Sequence, residues 1–562
     1  MKKKEKDKLF DNLPTCAAEF IKLVIKNMRY RNKIRADVMA ELTAHFEDGL
    51  KDCKTDQEKE QKAKEMVADF GDVKLLAVLL RRAKKRCRPS WQKLLVRSFQ
   101  IIGIIALYVA IRITYLTIGT ANVNVNYIDW LNNLVKVNRP EQENAKLYYD
   151  RAAELCLKFP SEIENKLLVC TSKGCGANNR WLTDFNDFEM EHLVKWLNDN
   201  QKSFEALRQG SQKAYYWYIY ENPKSGPKPV NFMSLKALKP LSKYRGVARG
   251  MEWQIIYDAY RGKLKDALNN CLALQRFGMH MQGQGLLIEQ MLGIAIEALA
   301  HQKIFMLLEK QDMPVGVLRD FYNKLENNLS DEKPVMDMEA EKVYWYDLIQ
   351  RGFTDDGKGN GKILKNGLPL GIKDTRSSIT RFFFWGYPDR REVTATVDEY
   401  FEKTAYLLNQ TPYELHTGRK SYLWDRIGSE CLMLKLLGPA NQKIITLGWR
   451  LKTGRSGLLT AIAVILYQKE KGNYPTNLDE LISSGYLKNL PMDPYSDKPL
   501  IYRKSGGSFI LYSVGPNFKD DGGQIFRDGT GRAKTWENEG DTVFWPVPKP
   551  QTRRELETKR SK

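Results

Sequence analysis

Residues 98–118 read SFQIIGIIALYVAIRITYLTI, and the rest of the chain is organised around this apolar run. About 20 apolar residues, at 1.5 Å rise per residue, form a helix that crosses a hydrocarbon core of roughly 30 Å. Only Gln100 and Arg112 interrupt the run, and Arg112 lies near its end, where a long side chain reaches the interface. We predict a transmembrane helix over 98–118, with a buried core helix as the alternative.

The residues that would contact lipid are spread along the run. They are Phe99, Ile101, Ile102, Ile104, Ile105, Leu107, Val109 and Ile111.

Residues 81–88, which we call the basic segment, precede the run and contain six basic residues and no acidic residue. They are Arg81, Arg82, Lys84, Lys85, Arg86 and Arg88. Basic residues favour the cytoplasmic side of a membrane. The pattern predicts a single-pass membrane protein, with residues 1–97 in the cytoplasm and 120–562 on the other side of the membrane.

Charge distribution indicates what the chain binds. Residues 1–97 carry 25 Lys and Arg against 15 Asp and Glu, in a chain with a net charge of +21. A basic region beside a membrane span predicts contact with anionic lipid head groups. Nucleic-acid binding is not expected, because no DNA-binding motif accompanies the charge. The charged start, Met1-Lys-Lys-Lys-Glu, is not a cleavable signal peptide, so the span is expected to remain as an anchor.

Five of the eight cysteines lie in the predicted outer part, and an odd number leaves at least one thiol unpaired within the chain. Cys170 and Cys175 are close enough in sequence to form a disulfide loop if the compartment is oxidising. Two unlinked thiols fit the sequence equally well.

Residues 14–97 are predicted to form a cytoplasmic helical domain behind a basic tail at 1–13. One amphipathic helix has apolar residues at every fourth position, namely Ile34, Val38, Leu42, Phe46 and Leu50. Thr55-Asp-Gln-Glu58 is a capping box that opens the next helix, and Gly71 suits the left-handed residue after its end. Asp72 is expected to cap a last helix that continues into the basic segment.

The domain contains the patterns Arg35-x-x-Val38-x-x-Glu41-Leu42-x-x-His45-x-x-Asp48 and Ala68-Asp-Phe-Gly71-Asp72. They carry a resemblance to the small helical permease-prefix domain that precedes membrane spans in many bacterial proteins. The resemblance implies a role in interaction or regulation at the membrane. His45 is interpreted as a surface residue, because no Cys or second His has metal-like spacing to it.

Residues 120–455 are predicted to form an irregular α-helical domain. Residues 141–158, 187–209 and 241–310 have apolar residues at helical spacing. Residues 260–274 are similar to part of a tetratricopeptide helix pair, although no second copy follows at a 34-residue period.

Catalytic motifs are scarce in this domain. The five histidines of the whole chain, four of them in this domain, form no HExxH pair, and Gly454-Arg-Ser-Gly457 does not match a nucleophile elbow. We therefore predict no catalytic residues and no cofactor. The acids Glu252, Glu289, Glu297 and Glu339 are the alternative, because helices could bring them to one cleft as in a hydrolase.

Residues 456–527 are predicted to form a small α+β module, followed by a tail at 528–562 that is expected to be disordered from Thr535. An apolar helix leads to Gly472-x-Tyr-Pro475 and to Asp493-Pro494. Two strands then flank Ser505-Gly-Gly507 in a hairpin. This order resembles the globular half of type II secretion pseudopilins. Some of these bind calcium in the final loop, which implies Asp520 and Asp521 as weak metal candidates.

The whole chain is thus predicted to be mainly α, and its order resembles uncharacterised envelope proteins of planctomycete-type bacteria. With this resemblance, the leading hypothesis is a non-catalytic interaction or scaffold protein of the bacterial cell envelope, anchored in the inner membrane, that binds protein partners. An accessory component of a type II secretion or pilus-like system and an extracytoplasmic hydrolase are the alternatives.

Overall fold

The structure is a computed structural model that describes residues 10, 12–86, 90–136, 140–164, 182, 185–220, 238–329, 335–365, 388–418, 432–528 and 531–548. The chain divides into two compact units, which we call unit 1 (Met1–Tyr115) and unit 2 (Leu116–Lys562). The described residues form 18 α-helices and a small C-terminal strand region. The predicted mainly α-helical class is confirmed at this level, whereas the single span and the tetratricopeptide-like pairing stay predictions.

Unit 1 contains four short helices and most of one long helix. They are α1 (Thr15–Asn27), α2 (Asn32–Gly49), α3 (Asp56–Asp69), α4 (Val73–Arg86) and α5 (Ser90–Thr117), and α5 ends just inside unit 2. The predicted end signals are confirmed. Thr55 and Glu58 form the capping box of α3, and Gly71 has a positive φ of 70°. The Asp72 carboxylate accepts a hydrogen bond of 2.8 Å from the Leu75 N–H at the start of α4.

Unit 1 has a hydrophobic core of its own. Val38, Leu42 and Phe46 of the predicted stripe lie on α2 and are buried in this core, as is Leu50 directly after the helix. Phe46 and Phe70 lie with their ring centroids 5.6 Å apart, and both contact Phe20 of α1. The amphipathic pattern in the sequence therefore corresponds to the face that α2 buries.

Unit 2 is built mainly from helices. They are α6 (Tyr127–Val135), α7 (Lys146–Leu155), α8 (Asp187–Asp199), α9 (Gln201–Ser211), α10 (Leu238–Tyr260), α11 (Leu264–His280), α12 (Leu287–Lys310), α13 (Val315–Leu329), α14 (Glu339–Gly352), α15 (Arg390–Leu408), α16 (Pro412–Thr417), α17 (Leu432–Lys471) and α18 (Leu478–Ser483). The three predicted helical zones correspond to α7, to α8 with α9, and to α10 with α11 and α12.

The zone at 187–209 is broken into two helices at Asn200. The Asn200 side chain is fully buried, and its oxygen accepts a hydrogen bond of 2.8 Å from the Leu157 N–H. Its amide nitrogen donates to the Trp196 carbonyl oxygen at 2.8 Å. Asn200 thus links the α8–α9 junction to the chain after α7, a tertiary contact that local periodicity does not reveal.

Helices α11 and α12 pack closely because two glycines meet at their crossing. A Cβ atom built on Gly278 would lie 2.7 Å from the Gly293 carbonyl oxygen. One built on Gly293 would lie 2.6 Å from the Gly278 carbonyl oxygen. Real Cβ atoms do not approach backbone so closely, so both positions need glycine for this helix pair to form.

The C-terminal strands form two small antiparallel sheets. β1 (Met492–Asp493) pairs with β2 (Lys498–Pro499), and β3 (Ile501–Ser505), β4 (Ser508–Ser513) and β5 (Thr542–Trp545) form a three-stranded sheet in that order. The β3–β4 hairpin is confirmed at the predicted place, with Ser505 opposite Ser508. Helix α17 ends at Lys471, directly before Gly472 with its positive φ of 82°, and the Asn477 side chain caps α18.

Two expectations about the C-terminal part need correction. The tail was predicted to be disordered from Thr535, but β5 lies in it and pairs with β4. β-Branched and aromatic residues of Thr542-Val-Phe-Trp545 favour a strand, and β4 offers an open edge. The helix predicted from residue 456 begins at Leu432 and runs 40 residues. Its buried apolar side chains from Leu458 to Tyr467 belong to one hydrophobic core that includes both the helical body and the sheet.

Candidate functional site

Two helices of the described chain are long and apolar enough to cross a membrane, Leu94–Thr117 within α5 and Leu287–Lys310, which is α12. Length and composition alone do not separate a membrane span from the core helix of a soluble protein. In α12, 67% of the most apolar 18-residue window is buried, whereas none of the corresponding window in α5 is buried. We therefore assign α12 to the core of unit 2, and α5 is the helix whose apolar surface is consistent with a membrane protein.

The side chains of α5 that the sequence assigns to lipid contact lie at the surface. Phe99, Ile101, Ile102, Ile104, Ile105, Leu107 and Ile111 are each at least 48% exposed. Val109 is half-buried. An exposed apolar surface of this extent is rare on a soluble monomer and marks an interaction with lipid or with another apolar surface.

The basic segment lies at the end of α4. Arg81, Arg82, Lys85 and Arg86 are exposed, and Lys84 forms an ion pair with Glu41 of α2. Arg88 lies outside the described residues. Helix α4 also exposes three apolar side chains, with Leu75 at 60%, Val78 at 44% and Leu79 at 51%. Basic residues combined with an exposed apolar stripe are typical of a helix that lies on a membrane surface.

Unit 2 contains a cavity of about 530 Å³ between α10, α12, α17 and the segment 535–548. Small-molecule sites commonly have volumes of roughly 300–1,000 Å³ and mostly apolar walls. The walls here include the apolar side chains of Ile256, Ile294, Met306, Leu447, Leu451 and Val543. The cavity thus has the size and the lining of a ligand site.

Four charged or titratable side chains line the cavity: Glu252, His301, Lys303 and Arg450. The Lys303 ammonium lies 2.6 Å from the Glu252 carboxylate, and both side chains are almost fully buried. The Arg450 guanidinium donates a hydrogen bond of 2.8 Å to the Trp536 carbonyl oxygen. No carboxylate among the described residues forms an ion pair with Arg450, so its positive charge is not neutralised locally by a side chain.

A second ion pair lies behind the cavity wall. The Arg455 guanidinium donates two hydrogen bonds of 2.7 Å to the Glu297 carboxylate, and the Gln282 amide donates a third of 2.7 Å. His301 Nε2 lies 3.4 Å from Glu297 Oε1. Burial alone would raise the pKa of Glu297, but the adjacent Arg455 charge and its hydrogen bonds lower that pKa to about 2. Glu297 is therefore a charged structural anchor between α12 and α17.

The C-terminal segment closes one side of the cavity through contacts with α17 and α12. A Cβ atom on Gly457 would lie 2.6 Å from the Phe544 ring, so this glycine admits β5 against the helix. The Phe544 ring stacks on Phe305 with a centroid distance of 6.5 Å. One wall of the cavity therefore consists of the residues that the sequence assigned to a disordered tail.

The four acids proposed for a hydrolase site do not converge. Glu252 lines the cavity, and Glu297 forms the ion pair with Arg455 behind the cavity wall. Glu289 lies eight residues before Glu297 on α12, about 12 Å along the helix, where it accepts a hydrogen bond from the Tyr220 hydroxyl. Burial raises the pKa of Glu289 to about 7. Glu339 is exposed at the start of α14. The arrangement does not place two of these carboxylates on one substrate.

The weak calcium candidates are engaged by protein donors. Asp520 accepts hydrogen bonds from the Tyr512 hydroxyl at 2.7 Å and from the Arg503 guanidinium at 3.0 Å. Asp521 accepts one of 2.6 Å from the Asn517 amide. Among the residues that the structure describes, no group of three or more His, Cys, Asp or Glu side chains is placed to hold a metal ion. These carboxylates thus organise the loop after β4.

The cysteine prediction falls largely outside the described residues. Cys170 and Cys175 both lie there, so their pairing stays a prediction. The described cysteines Cys16, Cys53, Cys156 and Cys271 are free thiols. Burial raises the pKa of the Cys271 thiol far above its usual range, which makes it an inert core residue rather than a nucleophile.

Comparison with known proteins returns no relative. No family model matches the chain, no curated protein matches it, and no solved structure matches it. The likenesses to permease-prefix domains, tetratricopeptide pairs and pseudopilins therefore stay predictions.

Sequence reasoning missed the cavity, because its walls come from segments separated by up to about 300 residues. Of the residues singled out from the sequence as functional candidates, only Glu252 lines it. Lys303 and Arg450 have no local motif that distinguishes them from the other 87 basic residues of the chain (89 Lys and Arg in all). A local signal is present only for the C-terminal segment, where the β-branched and aromatic residues of Thr542-Val-Phe-Trp545 favour a strand and so argue against a disordered tail.

Proposed function

We propose that the protein is a membrane-anchored, non-catalytic interaction protein of the bacterial cell envelope. The observation that carries this proposal is the exposed apolar surface of α5, in contrast to the buried α12. In the proposed topology α5 crosses the inner membrane once. The basic segment favours a cytoplasmic position for α1 to α4, since Lys and Arg accumulate on the cytoplasmic side of spans. The helical body and the sheet then lie outside the cytoplasm.

The exposed side chains of α4 indicate which part of the bilayer unit 1 would contact. Its exposed Leu75, Val78 and Leu79 would enter the boundary between head groups and acyl chains. Arg81, Arg82 and Lys85 would contact anionic head groups, each contributing about 1 kcal/mol near the surface. The chain continues from α4 to the apolar α5 across residues 87–89 alone, so α4 is held close to the bilayer in this proposal.

A binding role for unit 2 is favoured over a catalytic one by the state of its buried acids. Glu252 pairs with Lys303, and Glu297 pairs with Arg455. Neither carboxylate is available as a base without breaking a buried ion pair, which costs several kcal/mol. The cavity beside them has a lining that suits a ligand, so unit 2 is proposed to bind a ligand rather than to catalyse its conversion.

Protease protection on intact spheroplasts tests the topology. The full chain carries one epitope tag at each end, and an added protease is expected to remove the C-terminal tag while the N-terminal tag survives. Detergent lysis should expose both tags, which controls for protease access. Survival of both tags in intact spheroplasts would overturn the proposed topology, and with it the extracytoplasmic assignment of unit 2.

An accessory role in a type II secretion or pilus-like system is the second candidate. The order of α17, α18, the β3–β4 hairpin and β5 favours it, because a long helix followed by a small antiparallel sheet is the arrangement expected of a pseudopilin-like module. Recovery of secretion components after crosslinking and purification of the full chain would support this role. Normal secretion in a deletion strain, with no such component recovered, would exclude it.

A further inference from the structure

We propose that the cavity between α10, α12, α17 and residues 535–548 binds one long-chain carboxylic acid, an amphiphile of the fatty-acid class. This inference rests on the proposed function, because a membrane-anchored protein has such molecules in the adjacent bilayer. None of the sequence motifs described above marks this cavity, and the proposal names the chemical class of ligand that it binds.

The charge of the cavity favours an anionic head group. The opposite charges of Lys303 and Glu252 cancel, so the lining residues carry one net positive charge, which is that of the Arg450 guanidinium. Arg450 has five N–H groups, of which one donates to the Trp536 carbonyl oxygen, and the guanidinium also interacts with the Tyr495 hydroxyl. No carboxylate among the residues that the structure describes pairs with it. A ligand carboxylate would supply the missing anion through charge-assisted hydrogen bonds.

The position of Arg450 is fixed by its neighbours. Its guanidinium lies 5.9 Å from the centre of the Trp536 ring and donates to the Trp536 carbonyl oxygen. A held guanidinium loses less rotamer entropy when a ligand binds, which favours recognition of one head group at one place.

The rest of the cavity favours a single apolar chain. Ile256, Ile294, Leu451 and Val543 offer only aliphatic surface, and each methylene buried there contributes about 0.8 kcal/mol. A volume of about 530 Å³ is smaller than a diacyl phospholipid. Ala295 and Ala298 on the exposed part of α12 leave an opening through which one chain can enter.

The test is photolabelling of the full chain in lipid nanodiscs. The probe is a C16 carboxylic acid with a diazirine in the middle of its chain, and labelled peptides are located by mass spectrometry. The matched probe is the corresponding C16 alcohol. Both probes dissolve in the bilayer, so both are expected to label α5. The acid is expected to label α12, α17 or residues 535–548 as well, and the alcohol about tenfold less, because it lacks the charge-assisted hydrogen bonds.

Two variants separate the cavity from the bilayer. Ala298→Trp places a large side chain at the opening and should abolish labelling of the cavity peptides while α5 is labelled as before. Met291→Trp is the control, since Met291 is exposed on the same helix and lies outside the cavity lining. It should leave both sets of labelled peptides unchanged.

The outcomes distinguish the inference from the proposed function. Labelling of α5 alone by the acid overturns the cavity proposal and leaves the membrane anchor in place. Equal labelling of the cavity by acid and alcohol overturns recognition of the carboxylate. Absence of labelling on α5 with both probes contradicts the anchor itself. Loss of cavity labelling in Ala298→Trp but not in Met291→Trp, together with discrimination against the alcohol, supports the site.

Discussion

Two carboxylates on one helix are buried to a similar extent but have opposite pKa shifts. Burial raises the pKa of Glu289 to about 7, whereas the Arg455 charge lowers the pKa of Glu297 to about 2. Desolvation acts on both, and only Glu297 has a guanidinium beside it. The partner of a buried acid, more than its burial, therefore decides its charge in unit 2.

Glu297→Gln is expected to destabilise unit 2 by about 3 kcal/mol, because it leaves the Arg455 guanidinium buried without its counter-ion. Denaturant unfolding of the full chain in detergent micelles measures this change. The control is Glu399→Gln, which removes the exposed ion pair with Lys403 on α15 and should cost less than about 1 kcal/mol. Equal losses in the two variants would contradict a structural role for the buried pair.

The raised pKa of Glu289 predicts how the free energy of unfolding of unit 2 depends on pH. Its pKa is higher in the folded protein than the ordinary value of 4.5, so the folded state binds the proton more tightly than the unfolded state. The resulting stabilisation is complete below about pH 4.5 and is lost as pH rises through about 7, with a total of a few kcal/mol. Glu289→Gln should remove this dependence, since the amide stays neutral.

Unfolding of the wild-type chain and of Glu289→Gln between pH 4 and 8 tests this expectation. The difference in stability between the two proteins isolates Glu289 from all other titrating groups. A difference that does not change with pH would contradict the raised pKa.

At the scale of elements, the crossing of α11 and α12 depends on the absence of two Cβ atoms. Gly278→Ala is expected to destabilise unit 2 by about 1–3 kcal/mol, because its methyl group would meet the backbone of Gly293 and Glu297. Gly246→Ala on α10 is the control. That position has open space around it, and a helical Gly→Ala change stabilises by roughly 0.5–1 kcal/mol. Thermal unfolding should shift the two melting temperatures in opposite directions.

The two apolar helices give a test of which one enters the membrane. Ile104→Lys with Ile105→Lys should prevent stable integration of α5, since each central lysine costs about 2.5–3.5 kcal/mol in a span. Carbonate extraction of bacterial membranes measures the loss. Met291→Lys puts a charge at an exposed position of the otherwise mostly buried α12 and should leave the protein in the membrane fraction. Extraction of Met291→Lys instead would identify α12 as the anchor.

Elements with local signals were predictable from the sequence, and elements set by tertiary contacts were not. The capping box at Thr55, the helix end at Gly472 and the hairpin at Gly506 follow from residues adjacent in sequence. The break at Asn200 depends on a hydrogen bond to Leu157, and β5 depends on the open edge of β4. Neither partner is visible within a local window of residues.

At the scale of the whole molecule, the two units have separate cores. Phe46→Ala removes a fully buried ring from the core of unit 1 and should cost about 3–5 kcal/mol there. Hydrogen exchange measured by mass spectrometry should show faster exchange in α1 to α4 and unchanged exchange in α11 and α12. Faster exchange in both units would show that they unfold as one.

The change of composition at the apolar run is visible in the sequence, whereas the cavity could not be predicted from it. A cavity is defined by the positions of residues such as Glu252, Lys303, Arg450 and Phe544, which come from four distant segments. Local periodicity assigns each of them to a helix or a strand. Only the packing of those elements decides which of their side chains share a space.

The continuity of α17 fixes the spacing of two contacts on opposite sides of the predicted domain boundary. The Arg450 guanidinium donates a hydrogen bond to the Trp536 carbonyl oxygen. Gly457, seven residues later, has no side chain and so leaves room for the Phe544 ring. Seven residues are close to two full turns, so both contacts lie on one face, and inserting one residue between them would rotate the second by about 100°. This helix should therefore resist insertions and deletions during evolution, and we expect related chains to vary in length in their loops instead.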